Sequence, residues 1–200
     1  MIYVAGRWFC ALFCRLFFRL RVEGREQVPK KGAFIIAGNH VSFLDPVVFG
    51  VACPRQLNYL ARDTLFRNKF FGWLLKSVHV ISLKRNAADI CALREGLRRL
   101  KAGQGLLLFP EGTRSTDGNL GIGHYGVGFF ARKSGAPVVP AYSKGALIAM
   151  PKGATSIKPV PISVVFGKPM DFAKYANISD QEIADEIMKQ LRILKDESSK

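Results

Sequence analysis

Residues 32–46 read Gly-Ala-Phe-Ile-Ile-Ala-Gly-Asn-His-Val-Ser-Phe-Leu-Asp-Pro, and the parsing of this stretch decides the architecture. The run from Ala33 to Ala37 is short, apolar, rich in β-branched and aromatic side chains, and bounded by Gly32 and Gly38. Such a run predicts a strand buried on both faces. Pro46 suits the first turn of a helix and places Asp45 near its N-cap, so the stretch reads strand, loop, helix. Working outward, Val22 and Glu23 read as a short strand, and similar apolar runs recur at 56–60, 79–83, 105–109, 137–142 and 162–166. Between them, apolar residues fall at helical spacing over 46–52, 64–76, 88–101 and 123–133. Gly103 stands where a helix ends in the left-handed conformation. Ser179 and Glu182 form a capping-box signature ahead of Ile183, Ile187, Leu191 and Leu194 on one helix face. Strands alternating with helices predict a single α/β domain, a mixed but largely parallel sheet flanked by helices. The expected parts are an N-terminal segment at 1–20, the α/β domain at 21–176, and a C-terminal amphipathic helix at 177–200 packed on that domain.

Composition narrows the function. The chain has 200 residues and is 48% hydrophobic, with 30 Lys and Arg against 15 Asp and Glu, a net charge of +15. A chain this long and this apolar carries a core without disulfides or a structural metal, and disorder is excluded. The last 24 residues hold six acids and four bases, so residues 1–176 carry +17. Basic and greasy together suit an anionic membrane surface better than nucleic acid, and no RNA- or DNA-binding signature is present. Cys10, Cys14, Cys53 and Cys91 form no C-x-x-C pair and have no His cluster beside them, so they read as reduced packing residues in a cytosolic setting, with no metal and no cofactor expected.

Residues 1–20 are apolar but broken by Arg7, Arg15 and Arg19, too short a run to span a bilayer and without the order of a signal peptide. On a helix the three arginines share one sector and Trp8, Leu12, Phe13, Leu16, Phe17 and Leu20 fill the rest. This predicts a helix lying in the membrane interface. The other reading of the same pattern is a core-packing helix whose arginines reach out to water.

In a largely parallel sheet, chemistry gathers where strands end and loops lead into helices. Two such loops stand out, Gly38 to Pro46 and Phe109 to Ser115. His40 with Asp45 has the makings of a general base and the carboxylate that orients it. Five residues apart on a regular helix places two side chains about 140° apart, so the pair meets only if the segment turns. The alternative is that Asp45 caps the helix and His40 packs in the turn. Ser42 reads as a hydroxyl bonding nearby backbone rather than as a nucleophile, and no G-x-S-x-G elbow is present.

Asn39-His40-Val41-Ser42-Phe43-Leu44-Asp45 resembles the NHxSxxD motif of the glycerolipid acyltransferases, and Phe109-Pro110-Glu111-Gly112-Thr113-Arg114-Ser115 matches their FPEGTRS motif letter for letter. Arg85 stands where the family's second block ends in Arg, and Ala136 to Ala141 resembles its fourth block. The resemblance covers roughly residues 20–170 and is nearest to the bacterial 1-acylglycerol-3-phosphate acyltransferases. It implies transfer of an acyl group from an acyl thioester, acyl-CoA or acyl carrier protein, to lysophosphatidic acid at the cytoplasmic face of the cell membrane. It also implies that His40 acts as base with Asp45 as its orienter. Arg114 and Arg85 are guanidinium groups suited to phosphate. Glu111 then reads as orienting Arg114 or a substrate hydroxyl, with Gly112 and Thr113 as donors. The chain departs from the family pattern at Lys84, at His79 where glycine is frequent, and at His124 where many relatives carry a nearby Lys; Lys144 is a candidate for the missing charge. Other readings are a different lysophospholipid or hydroxylated lipid as acceptor, and a non-catalytic lipid- or nucleic-acid-binding module on the same fold.

Overall fold

Strand β2 (Phe34–Gly38) lies at the centre of a seven-stranded sheet, fully buried along its length. The computed structural model describes residues 2–84, 89–174 and 177–198. Around β2 the sheet contains β1 (Arg21–Glu23), β3 (Leu57–Arg62), β4 (Val80–Leu83), β5 (Gly105–Leu108), β6 (Val138–Lys144) and β7 (Ser163–Phe166), in the order β1-β7-β6-β2-β5-β3-β4. Every pair is parallel except β6 with β7, which gives the mixed, mostly parallel α/β sheet expected from the sequence.

The alternation along β2 divides the core in two. Phe34 and Ile36 enter one apolar layer with Phe49, Leu57 and Leu107, under α1 (Ile2–Phe17) and α2 (Asp45–Ala52). Ile35 and Ala37 enter the other with Leu106, Val138 and Ile187, under α4 (Ile90–Lys101), α5 (Gly126–Ser134) and α7 (Asp180–Glu197). Period-two burial on both faces is what makes the strand read as a continuous apolar run. The capping box of α7 is formed through Ser179 and Glu182, and Ile183, Ile187, Leu191 and Leu194 are all buried. Helices α5 and α7 cross at Gly128, where a Cβ would stand 1.9 Å from the Asp180 carbonyl oxygen. Gly128→Ala is therefore expected to lower stability by about 3 kcal/mol, read as a reduced denaturant midpoint. Gly126→Ala, with open space around it, is expected to be near neutral.

Two local expectations need correction, and two further features were not read from the sequence. The helix expected over 64–76 is a 3-10 turn (Asp63–Phe66) followed by α3 (Lys69–Ser77), because Asn68 caps α3 by accepting the Phe71 N–H at 3.0 Å. Its aromatic residues Phe70 and Trp73 are exposed. A short α6 (Ala146–Ala149) follows Gly145, and no helical periodicity signals four residues. Cys91 is exposed, so only Cys10, Cys14 and Cys53 pack inside.

The arginines of α1 do not form one polar face. Arg7 turns inward and donates to the Cys53 carbonyl, while Arg19 lies past the helix end with a positive φ. Cys14 and Phe18 are buried in the same layer as Phe49, so the segment is packed on the domain. Its opposite side leaves Trp8, Phe9, Leu12 and Leu16 largely exposed. His79 adopts φ +67, a conformation glycine takes without strain, and its carbonyl is held by Arg99 Nη1 at 2.8 Å.

Candidate active site

Parallel pairing of β2 with β5, in register from Phe34 opposite Gly105 to Ala37 opposite Leu108, makes the two strands end side by side. The loops after them, Asn39 to Leu44 and Phe109 to Ser115, therefore leave the sheet together. Residues 71 positions apart in sequence become neighbours: the His40 backbone N–H donates to Glu111 Oε1 at 3.1 Å. The Ser115 N–H donates to the His40 carbonyl at 2.8 Å, a second staple between the loops.

The segment from His40 to Asp45 turns, as a contact between those side chains requires. Asp45 is fully buried, and its Oδ2 accepts from the Val41 and Ser42 N–H groups, each at 2.7 Å. These donors precede α2, so the carboxylate folds back on its own loop instead of capping the helix. The same oxygen lies 2.8 Å from His40 Nδ1. A buried carboxylate acceptor there favours the Nδ1–H tautomer and leaves Nε2 as the nitrogen able to take a proton. The imidazole also stacks on Phe109, with centroids 3.9 Å apart and planes 11° from parallel. Position and tilt of the ring are thereby set before any substrate arrives.

The polar residues of the loop have structural work. Asn39 Nδ2 donates to the Ser143 carbonyl at 3.0 Å and its Oδ1 accepts the Ser143 N–H at 2.7 Å, locking the end of β2 to β6. Ser42 Oγ donates to the Met150 carbonyl at 2.7 Å and accepts from the Leu44 N–H at 3.1 Å. A hydroxyl engaged both ways on backbone has no base to activate it as a nucleophile.

Of the two expectations for Glu111, contact with Arg114 is the one the structure does not bear out. Its second oxygen accepts the Gly121 N–H at 3.0 Å, so both carboxylate oxygens hold backbone and the side chain is 5% exposed. It organises three loop segments rather than orienting Arg114, and a carboxylate committed to two N–H donors is a weaker repellent of phosphate than a free one. Gly112 takes φ +62 in the turn, and a Cβ there would come within 3.2 Å of the His124 ring. Thr113 is exposed on the same turn. His124 is exposed, with its N–H donated to the Pro110 carbonyl at 2.9 Å, whereas Lys144 Nζ donates to the Ser198 carbonyl at 2.7 Å, by the end of α7.

Arg114 lies over the Phe43 ring, its guanidinium carbon 3.5 Å from the centroid. One of its terminal nitrogens is buried without a hydrogen-bond partner among the described residues. Burial first, and then the nearby Arg62, lower its pKa from the ordinary arginine value. Two cations near each other with an unspent N–H are chemically suited to an anion. Arg62 ends β3, next to β5, and was not legible as a site residue. The signal that could have found it is its place at the carboxyl end of a parallel strand. Arg85 lies outside the described residues. Among the described residues no group of three or more His, Cys, Asp or Glu could hold a metal ion.

The model of the family described as Acyltransferase matches residues 19–144. The chain is 30% identical over 180 residues to a 1-acyl-sn-glycerol-3-phosphate acyltransferase of Bacillus subtilis, covering 87% of each. It is 30% identical over 162 residues to the chloroplastic enzyme LPAT1 of Arabidopsis thaliana, spanning 79% of this chain and 45% of that one. The crystal structure of the 1-acyl-sn-glycerophosphate (LPA) acyltransferase PlsC of Thermotoga maritima shares the fold, with a TM-score of 0.80 at 24% identity over 98% of this chain and 83% of that one.

Proposed function

The chain belongs to the acyltransferase family, and from that premise we propose that it moves a fatty acyl group from an acyl thioester to the sn-2 hydroxyl of 1-acyl-glycerol-3-phosphate, giving phosphatidic acid. The observation that carries this reading is the fixed His40–Asp45 pair, 2.8 Å apart, next to the Arg114 cation. In the reaction His40 Nε2 takes the acceptor's hydroxyl proton as its oxygen attacks the thioester carbonyl. A C–O bond forms, the C–S bond breaks, and the proton passes to the leaving thiolate. Asp45 stabilises the imidazolium formed on the way. A thiolate leaves readily, so no covalent enzyme intermediate is required and alignment carries much of the catalysis.

Arg114 and Arg62 hold the acceptor's phosphate, and Phe43 supports the Arg114 guanidinium from below. Arg114→Ala is expected to raise the KM for the acceptor roughly 100-fold, as loss of a charged hydrogen-bonding partner does, with a smaller change in kcat. An unchanged KM removes Arg114 from the phosphate site. Assay of the purified protein with lysophosphatidate and other lysophospholipids, each with acyl-CoA and acyl carrier protein donors, tests the reaction itself. No transfer to lysophosphatidate with either donor refutes it.

The enzyme works on the membrane from its cytoplasmic face. Among the described residues no helix is long and apolar enough to cross a bilayer. The support for a peripheral attachment is the outer side of α1, where Trp8, Phe9, Leu12 and Leu16 are each more than half exposed, together with Phe70 and Trp73 on α3. Contiguous exposed apolar side chains on a basic protein suit the boundary between headgroups and acyl chains.

A further inference from the structure

One flank of α1 borders a groove of about 730 Å³ that also touches β1, the turn after it and the residues leading into β3. Its polar lining is cationic: Arg7 and Arg15 from α1 and Arg25 from the turn, with Tyr3 and Gln56 beside them and no carboxylate. Some arginines elsewhere are paired, Arg98 and Arg99 with Glu95 and Arg132 with Asp180. Arg15 and Arg25 form no ion pair among the described residues. Arg7 and Arg25 both bear on Cys53, although burial wins there and lifts that thiol to about 11, and Arg15 lines the same groove.

Helix geometry places the groove relative to the exposed apolar side of α1. At 100° per residue, Arg7, Ala11, Val4, Arg15 and Trp8 fall in one sector of about 100°, and Leu12 and Leu16 continue it round the exposed side. The groove therefore opens where the apolar face begins. Gln56 in its lining precedes β3, while His40 follows β2, and β2, β5 and β3 run parallel. Groove and catalytic loops thus lie at opposite ends of the sheet, so the groove is separate from the acceptor's phosphate site.

We propose that this groove is a binding site for an intact anionic phospholipid, its phosphate held by Arg7, Arg15 and Arg25 and its chains running along Trp8 and Leu12 into the bilayer. Charge complementarity selects the headgroup, and the adjoining apolar face selects a lipid over a free anion. The volume is that of a small-molecule site, about 300–1,000 Å³, well beyond a phosphate group alone. The inference rests on the reading of α1 as the membrane-facing element and adds to it a defined lipid class and site.

The test is vesicle sedimentation of the full chain on phosphatidylcholine alone and on phosphatidylcholine mixed with phosphatidylglycerol. Arg15→Gln with Arg25→Gln is expected to weaken binding to the mixed vesicles about 30-fold, two charges at about 1 kcal/mol each, and to leave binding to the neutral ones unchanged. Both side chains are exposed, so the melting temperature should not move. Lys30→Gln with Lys31→Gln removes the same charge from a nearby exposed surface, and an equal loss there would mean a diffuse potential and overturn the site. Inorganic phosphate binding to the free protein at Arg15 and Arg25, with vesicle selectivity unchanged in the double variant, would overturn it as well. Trp8→Ser with Leu12→Ser and Leu16→Ser should reduce binding to both vesicle types. If that variant binds both normally while the arginine variant loses selectivity, the apolar face is refuted and the headgroup site stands.

Discussion

His40→Ala is expected to reduce acyl transfer on the order of 10³-fold or more in kcat while leaving fold and vesicle binding intact. The imidazole is 19% exposed and its partners, Asp45 and Phe109, remain after truncation, so the cost is chemical before it is structural. Without it no group in the loop is placed to take the hydroxyl proton, because Ser42 is engaged on backbone in both directions. His40→Gln keeps a polar side chain but no titrating base and should be as slow. Single-turnover rates at saturating acceptor and donor separate this loss from weaker binding. Transfer at the wild-type rate by either variant would remove His40 from the mechanism.

At Asp45 two substitutions should differ from each other. The Val41 and Ser42 N–H groups both point at Oδ2, so in Asp45→Asn they select the amide oxygen for that position and the His40 tautomer is kept. What is lost is the negative charge that stabilises the imidazolium. A fall on the order of 100-fold in kcat/KM is expected, with little change in stability. Asp45→Ala also removes the acceptor for two backbone donors at a fully buried position, so activity should fall further and stability should drop by about 3 kcal/mol. Equal activity in the two variants would mean that the loop, and not the charge, is what Asp45 supplies.

The loop staples explain why the second motif needs its acid. A carboxylate next to a phosphate site is unfavourable on charge alone, and from sequence the natural suggestion is that it steadies a neighbouring arginine. In the folded chain Glu111 bridges the His40 and Gly121 N–H groups. Two loops and a third segment, distant in sequence, thus share one buried anion. This arrangement depends on β2 and β5 being adjacent, which no local pattern specifies.

The strands, most helices and the capping box of α7 were legible because they depend on short-range patterns: apolar runs between glycines, helical spacing, and a side chain meeting a backbone N–H three residues on. His40 and Asp45 were legible as candidates because they stand in a loop at a strand end, and Arg114 through the resemblance of its loop to the FPEGTRS motif. Tertiary structure alone decided how those residues are placed relative to one another. The turn that brings Asp45 back to His40, the Phe109 ring beneath the imidazole, and Arg62 beside Arg114 all come from parallel strands side by side. The arginines of α1 show the same limit, since a helical wheel treats the helix as isolated and cannot say which side a neighbour will cover. Packing on α2 turned Arg7 inward and left Trp8, Leu12 and Leu16 outside. Sequence periodicity determines that a face is apolar; only the fold determines whether protein or another apolar phase covers it.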